Sequence, residues 1–135
     1  MALLEEFDKN MKILVVDDFV SMRQIIKRGL RTLGFENVVE ASNGVEALRK
    51  LELEPCQLII SDWNMPEMTG LEFLSSVRQD ARLKTVPFIM ITAEAERSNI
   101  IDAAKAGVSN YLVKPFTVES LEQKLSLVLA KAYRS

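Results

Sequence analysis

Apolar positions along this chain alternate between two rhythms. Short apolar runs recur at Ile13-Leu14-Val15-Val16, Val38-Val39, Leu58-Ile59-Ile60, Val86-Pro87-Phe88-Ile89-Met90-Ile91-Thr92 and Tyr111-Leu112-Val113-Lys114. Runs this compact, rich in β-branched residues and bounded by polar or turn residues, predict buried strands. Between them the apolar residues fall three and four apart, the spacing of a helix with one buried face. Met22, Ile25, Ile26, Leu30 and Leu33 form the first such stripe, with Gly34 as its stop. Val45, Leu48 and Leu51 form the second, entered through a capping arrangement at Asn43-Gly44-Val45-Glu46 and closed before Pro55. The third holds Leu71, Leu74 and Val77 behind Thr69 and Glu72, which have capping-box spacing. A fourth helix is predicted from about Arg97 to Ala106, with Ile100, Ile101, Ala103 and Ala104 inward and Gly107 at its end. Pro115 breaks the last strand, Thr117 can cap the final helix, and Leu121, Leu125, Val128 and Leu129 face its core.

Strand and helix thus alternate five times without an internal repeat or linker, which predicts an open, doubly wound parallel α/β sheet with helices on both faces. The strand order 2-1-3-4-5 fits five strands and sets the first and third side by side, where ligands bind beyond the carboxyl ends. Residues 1–10, with Glu5, Glu6, Asp8 and Lys9 among a few apolar residues, precede any strand signal. They read as a short arm or frayed helix ahead of one domain spanning residues 11–135.

The strand ends carry the candidate chemistry. Asp17 and Asp18 follow the first strand, Asp62 ends the third, Thr92 the fourth and Lys114 the fifth. An aspartate after a strand is commonly only a turn cap, and Lys114 and Thr92 taken singly are ordinary strand-end residues. Five such groups on one rim point to a site instead. Three carboxylates this close call for a cation, and Mg²⁺, a hard ion that takes oxygen ligands, suits two or three carboxylates plus a loop carbonyl such as that of Asn64. An acid, a metal, an amine and a hydroxyl together suit phosphoryl transfer onto Asp62 as nucleophile, with Lys114 neutralising charge and Thr92 donating a hydrogen bond.

Composition narrows the classes further. The 135 residues are 48% hydrophobic, enough for one core and too few for two domains. Seventeen Lys and Arg against nineteen Asp and Glu give a net charge of −2, so neither nucleic acid nor a membrane surface is an expected partner. Cys56 alone makes no internal disulfide, and no apolar run or leader suggests a membrane span or export, so a cytoplasmic monomer is expected. Histidine is absent, which removes Ser-His-Asp, Cys-His and His-zinc chemistry.

The motifs Val16-Asp17-Asp18-Phe19, Ser61-Asp62-Trp63-Asn64-Met65-Pro66, Ile91-Thr92-Ala93-Glu94-Ala95 and Tyr111-Leu112-Val113-Lys114-Pro115-Phe116-Thr117 match a known pattern. From about Lys12 to the last helix the chain resembles the receiver domains of two-component response regulators, most closely the stand-alone chemotaxis receivers of the CheY type. The resemblance implies a flavodoxin-like fold and a histidine kinase that loads its phosphoryl group onto Asp62. It implies Mg²⁺ held by Asp17 or Asp18, by Asp62 and by the Asn64 carbonyl, and a cis Lys114-Pro115 bond. It further implies that phosphorylation draws Thr92 inward and lets Tyr111 follow, altering the face of the fourth helix, fifth strand and fifth helix. Ile100, Tyr111 and Lys124 then fit a surface for the flagellar motor switch, with Trp63 beside Asp62 as an optical reporter. Asn64 and Glu94 would tune hydrolysis of the acyl phosphate, and a phosphatase is a further candidate partner.

The chain departs from that pattern in three places. Glu96 and Arg97 stand where a basic pair is common, and Thr69 where an acid is common. The first change favours an alternative in which the receiver is a phosphate sink or relay to a non-motor partner. An aspartyl-phosphate phosphohydrolase is a distant third reading, because such enzymes carry a second acid where this chain has Asn64. A flavin protein is disfavoured by acids in the first strand-helix turn.

Overall fold

The computed structural model describes residues 3–93 and 97–133. The elements run β1 (Ile13–Val16), α1 (Val20–Thr32), β2 (Val38–Ala41), α2 (Gly44–Leu53), β3 (Leu58–Asp62), α3 (Gly70–Gln79), β4 (Phe88–Thr92), α4 (Arg97–Ala106), β5 (Asn110–Val113) and α5 (Val118–Tyr133). All strand pairs are parallel and the sheet order is β2-β1-β3-β4-β5, as the alternation of elements predicts. Every residue of β1, β3 and β4 is buried, whereas the edge strands β2 and β5 are mostly half-buried. Central parallel strands covered on both faces need continuous apolar runs, which is why these three stand out in the sequence.

Successive residues of a strand point to opposite faces, so each run feeds two cores. Ile13, Val15, Leu58, Ile60, Ile89, Ile91 and Leu112 pack with Ile26 and Leu30 of α1 and Leu121, Leu125 and Leu129 of α5. Leu14, Val16, Ile59, Phe88 and Met90 pack with Ala47 and Leu51 of α2 and Phe73, Leu74 and Val77 of α3. The predicted caps form: Asn43 accepts from the Glu46 amide at 2.8 Å, Thr69 and Glu72 make a reciprocal capping box, and Thr117 accepts from the Ser120 amide at 3.1 Å. Two helical stripes are narrower than predicted. Val45, Ile101 and Ala104 are exposed, whereas Leu51 and Ala103 are buried as predicted, joined in α2 by Gly44 and Ala47. Small residues let a helix axis approach the sheet closely, and that overrides the count of large apolar groups. The fourth strand begins at Phe88 rather than Val86, since Val86 is held in the preceding turn by its amide bond to the Leu83 carbonyl.

The amino-terminal segment is turns rather than helix, and it is docked. Leu4, Phe7 and Met11 are buried in the core under α1 and α5. Lys9 locks the segment: its ammonium bonds the Leu4 and Phe7 carbonyls and lies 5.3 Å from the centre of the Phe35 ring, and its stem rests on Gly34. Gly34 has φ +99°, so it both ends α1 and leaves room for that stem. Replacing Leu4 and Phe7 together by alanine is expected to cost about 3 kcal/mol or more in urea unfolding, the range for emptying buried apolar sites. No helix among the described residues is long and apolar enough to cross a membrane.

Candidate functional site

Strand register assembles the site. Val16 pairs with Ser61, so Asp17, one residue beyond β1, stands beside Asp62, the last residue of β3. Asp62 pairs in turn with Ile91, and Thr92 with Val113, which sets Thr92 and then Lys114 on the same rim. Backbone bonds fix these ends: Asp17 N–H to the Ala41 carbonyl at 3.1 Å, Trp63 N–H to Ile91 at 2.9 Å and Lys114 N–H to Thr92 at 2.8 Å. The Lys114-Pro115 peptide is cis.

Asp17, Asp18 and Asp62 each offer a carboxylate oxygen within 4.8 Å of the others. Asp17 is fully buried, Asp62 is 4% exposed and Asp18 is half-buried. One oxygen of Asp17 accepts the Phe19 amide at 2.9 Å, and one of Asp62 is 3.0 Å from the Lys114 ammonium. Among the described residues, Asp17 Oδ2 and Asp18 Oδ1 are buried with no hydrogen-bond partner. Burial, with the Asp62 and Asp18 charges adding to it, pushes the Asp17 carboxyl up to about 6, against the Phe19 amide and Lys114. Burial also raises Asp62, opposed by the hydrogen bond and charge of Lys114. Buried carboxylate oxygens that are unpaired and mutually repelling suit a hard divalent cation, which would take oxygen ligands from all three acids. The donor set therefore fits Mg²⁺.

Open space lies on both sides of Asn64, which is exposed. One cleft of about 420 Å³ is lined by Asp18, Phe19, Asn64, Met65, Pro66 and Thr69, and another of about 230 Å³ by Trp63, Asn64, Thr92, Ala93 and Asn99. Asp18 lines the first of these clefts and Thr92 the second. Glu94, together with Glu96, lies outside the described residues. A small apolar void of about 10 Å³ is lined by Trp63, Met90, Thr92, Asn99, Ile100, Ala103 and Tyr111. Trp63, Ile100 and Tyr111 thus meet at one point between the acids and α4, and Lys124 reaches Tyr111 from α5 with its ammonium 5.0 Å from the ring centre.

Two residues that sequence reasoning passes over also hold the site. Arg23 donates to the Asp17 carbonyl at 2.6 Å and to Glu40 at 2.9 Å, tying the acidic turn to the end of β2. Gly70 donates to the Trp63 carbonyl at 2.8 Å, and a Cβ there would lie 2.2 Å from the Asp62 carbonyl oxygen. A glycine directly after the Thr69 cap was a visible signal for a close approach; Arg23 looked like any polar helix residue.

The sequence and the fold have counterparts among known proteins. The family model of the response regulator receiver domain matches residues 13–126. The chain is 50% identical over 124 residues to the chemotaxis protein CheY-3 of Vibrio cholerae, covering 92% of this chain and 95% of that protein. It is 53% identical over 120 residues to the chemotaxis protein CheY1 of Helicobacter pylori, covering 88% and 97%. Among solved structures, Vibrio cholerae CheY4 superposes with a TM-score of 0.83 at 40% identity, over 89% of this chain and 99% of that one. The signal receiver domain of a histidine kinase from Syntrophus aciditrophicus gives 0.83 at 28% identity, over 93% and 94%.

Proposed function

The chain belongs to the response regulator receiver family and is closely related to CheY chemotaxis proteins, and from that premise we propose that Asp62 accepts a phosphoryl group from a histidine kinase in a Mg²⁺-dependent reaction. The observation that carries this reading is the pairing of Asp62 with Lys114 at 3.0 Å inside a cluster of acids with two orphaned buried oxygens. In the transfer the phosphorus–nitrogen bond of a phosphohistidine breaks as an Asp62 oxygen bonds to phosphorus, and the electron pair of the broken bond returns to the donor's imidazole. Mg²⁺, held by Asp17, Asp18, Asp62 and the Asn64 carbonyl, would neutralise charge on the phosphoryl oxygens and on the acids. Lys114 already bonds Asp62, partly offsets the effect of burial on its carboxyl, and would pair with a phosphoryl oxygen. Thr92, at the neighbouring strand end, supplies a hydroxyl to another oxygen. The protein is a phosphoaccepting signalling module rather than an enzyme with an external substrate, and Asn64 and Glu94 set how water reaches the acyl phosphate.

Phosphorylation then acts as a switch. Movement of Thr92 toward the phosphoryl group opens the small void behind it to Tyr111, and the α4, β5 and α5 face changes shape around Ile100, Tyr111 and Lys124. The chemotaxis relatives favour the flagellar motor switch as the target of a cytoplasmic monomer, with a phosphatase ending the signal. The Glu96-Arg97 sequence favours the second reading, a sink or relay to a partner outside the motor. A small phosphodonor such as phosphoramidate, added with and without Mg²⁺ while Trp63 emission is followed, tests the phosphoacceptor. A saturable change that needs Mg²⁺ and is lost in Asp62→Asn is expected, and a full response from Asp62→Asn would overturn the assignment. Capture on immobilised motor switch protein then separates the two targets: the motor role requires tighter binding of the phosphorylated form.

A further inference from the structure

At the open edge of the sheet, three side chains from two elements converge. Leu112 belongs to the core beneath α5, whereas its neighbour Tyr111 packs on the opposite face against the core beneath α3 and α4. Lys124 starts from α5, on the first face, and its ammonium crosses the edge of β5 to lie 5.0 Å from the centre of the Tyr111 ring. That reach is held by Asn110, whose Oδ1 accepts from the Lys124 ammonium at 3.1 Å. The same oxygen accepts the Tyr111 amide at 2.8 Å. Asn110 therefore fixes both the backbone of Tyr111 and the cation over its ring.

The position of the ring matters because of what lies behind it. The void shared by Trp63, Met90, Thr92, Asn99, Ile100, Ala103 and Tyr111 is lined by apolar surface and, at about 10 Å³, cannot take a phenol ring. In this conformation Tyr111 borders the void and is half-buried. Moving it inward requires space from Thr92 or α4. It also requires the ring to leave the ammonium, whose attraction to a ring face is electrostatic and falls with distance.

We infer that Asn110 and Lys124 form a latch that holds Tyr111 outward and so sets how readily the resting protein adopts its switched state; this rests on the phosphorylation switch described above. Lys124 is here a positioning residue, acting through Tyr111 rather than on Asp62. A single ring–cation contact at a partly exposed site shifts a two-state population by about two- to fivefold. Coupling between sites is reciprocal, so a latch that opposes the inward state also opposes phosphorylation by the same factor.

The test uses the full-length protein labelled with 3-fluorotyrosine. The chain has two tyrosines, and Tyr133→Phe assigns their signals. The fraction of Tyr111 exposed to water is read from its solvent isotope shift, without phosphodonor. Lys124→Ala and Asn110→Ala are expected to raise the inward-to-outward ratio about two- to fivefold, and Lys124→Arg to keep the wild-type ratio because guanidinium also pairs with the ring. Half-saturating phosphoramidate should fall by the same factor in Lys124→Ala. An unchanged Tyr111 exposure in Lys124→Ala would overturn the latch, and a changed exposure with unchanged half-saturation would overturn its link to the switch. Because exposure is measured in resting protein, an altered ratio in a protein that takes no phosphoryl group would support the latch while contradicting Asp62 as acceptor.

Discussion

Asp17→Asn is expected to make the metal-free protein more stable and, at the same time, nearly blind to Mg²⁺. The carboxyl of Asp17 is buried, has an oxygen within 4.8 Å of oxygens of two other acids, and is pushed up by burial from its ordinary 3.8 to about 6. A carboxyl whose folded pKa lies above its unfolded value binds more protons in the folded chain between those values. Its effect on stability is therefore absent below about pH 4, grows unfavourable as pH rises toward 6, and is constant above that. At neutral pH the ionised group costs roughly 2–3 kcal/mol at 1.4 kcal/mol per pKa unit. The amide oxygen of Asp17→Asn can keep the bond from the Phe19 amide, and its NH₂ can donate to the facing carboxylates. Urea unfolding without metal should thus show wild type and variant alike near pH 4 and the variant ahead by that amount above pH 6. Added Mg²⁺ should reverse the order, because only wild type keeps the full set of oxygens. The variant's Mg²⁺ affinity is expected to drop by roughly 100-fold or more, given that even outer-shell losses cost 10–100-fold. A variant less stable than wild type at every pH without metal would contradict the electrostatic account of the pocket.

Gly70→Ala is the substitution expected to damage both fold and site. Its new methyl would meet the Asp62 carbonyl oxygen at 2.2 Å and the Trp63 Cα at 2.9 Å, both main-chain atoms that have no rotamer to escape into. Either α3 retreats, stretching the 2.8 Å bond from the Gly70 amide to the Trp63 carbonyl, or the end of β3 moves. Overpacking of this kind costs about 1–3 kcal/mol, and loss of the bond about 1 kcal/mol more. Displacement of Asp62 by 1 Å would slow phosphorylation on the order of 100-fold. Gly44→Ala is the matched control. Its methyl also falls within 3 Å of another atom, at 2.7 Å, but that atom is the sulfur of the flexible Met68 side chain. It should cost less than about 1 kcal/mol and leave phosphorylation unchanged. Equal losses in the two variants would show that close approach to the strand end is not what matters.

The strand ends were legible in the sequence because a buried parallel strand needs an uninterrupted apolar run, so a charged residue stopping one is conspicuous. Once the order β2-β1-β3-β4-β5 was inferred, register alone carried Asp17, Asp62, Thr92 and Lys114 to one rim. Helix faces were less legible. In α2 and α4 the large residues Val45 and Ile101 mark the solvent side, because Gly44, Ala47 and Ala103 permit closer packing than any bulky group could. The docking of Leu4 and Phe7 left no periodic trace, since it fills space beneath Phe35 that exists only in the assembled core. Arg23 and Asn110 depend on contacts between distant segments, and their residue types carry no message until those segments meet.

On the proposed function, Asp62 is the group that takes the phosphoryl. Phosphoramidate treatment of the full chain with Mg²⁺, followed by borohydride trapping and peptide mass spectrometry, measures this directly. Acyl phosphates are reduced by borohydride and free carboxylates are not, so the modified residue is marked permanently. A single reduced site is expected at Asp62, dependent on Mg²⁺ and absent from Asp62→Asn. Reduction at Asp17 or Asp18 instead, or at Asp62 with equal yield after Mg²⁺ is chelated, would contradict it.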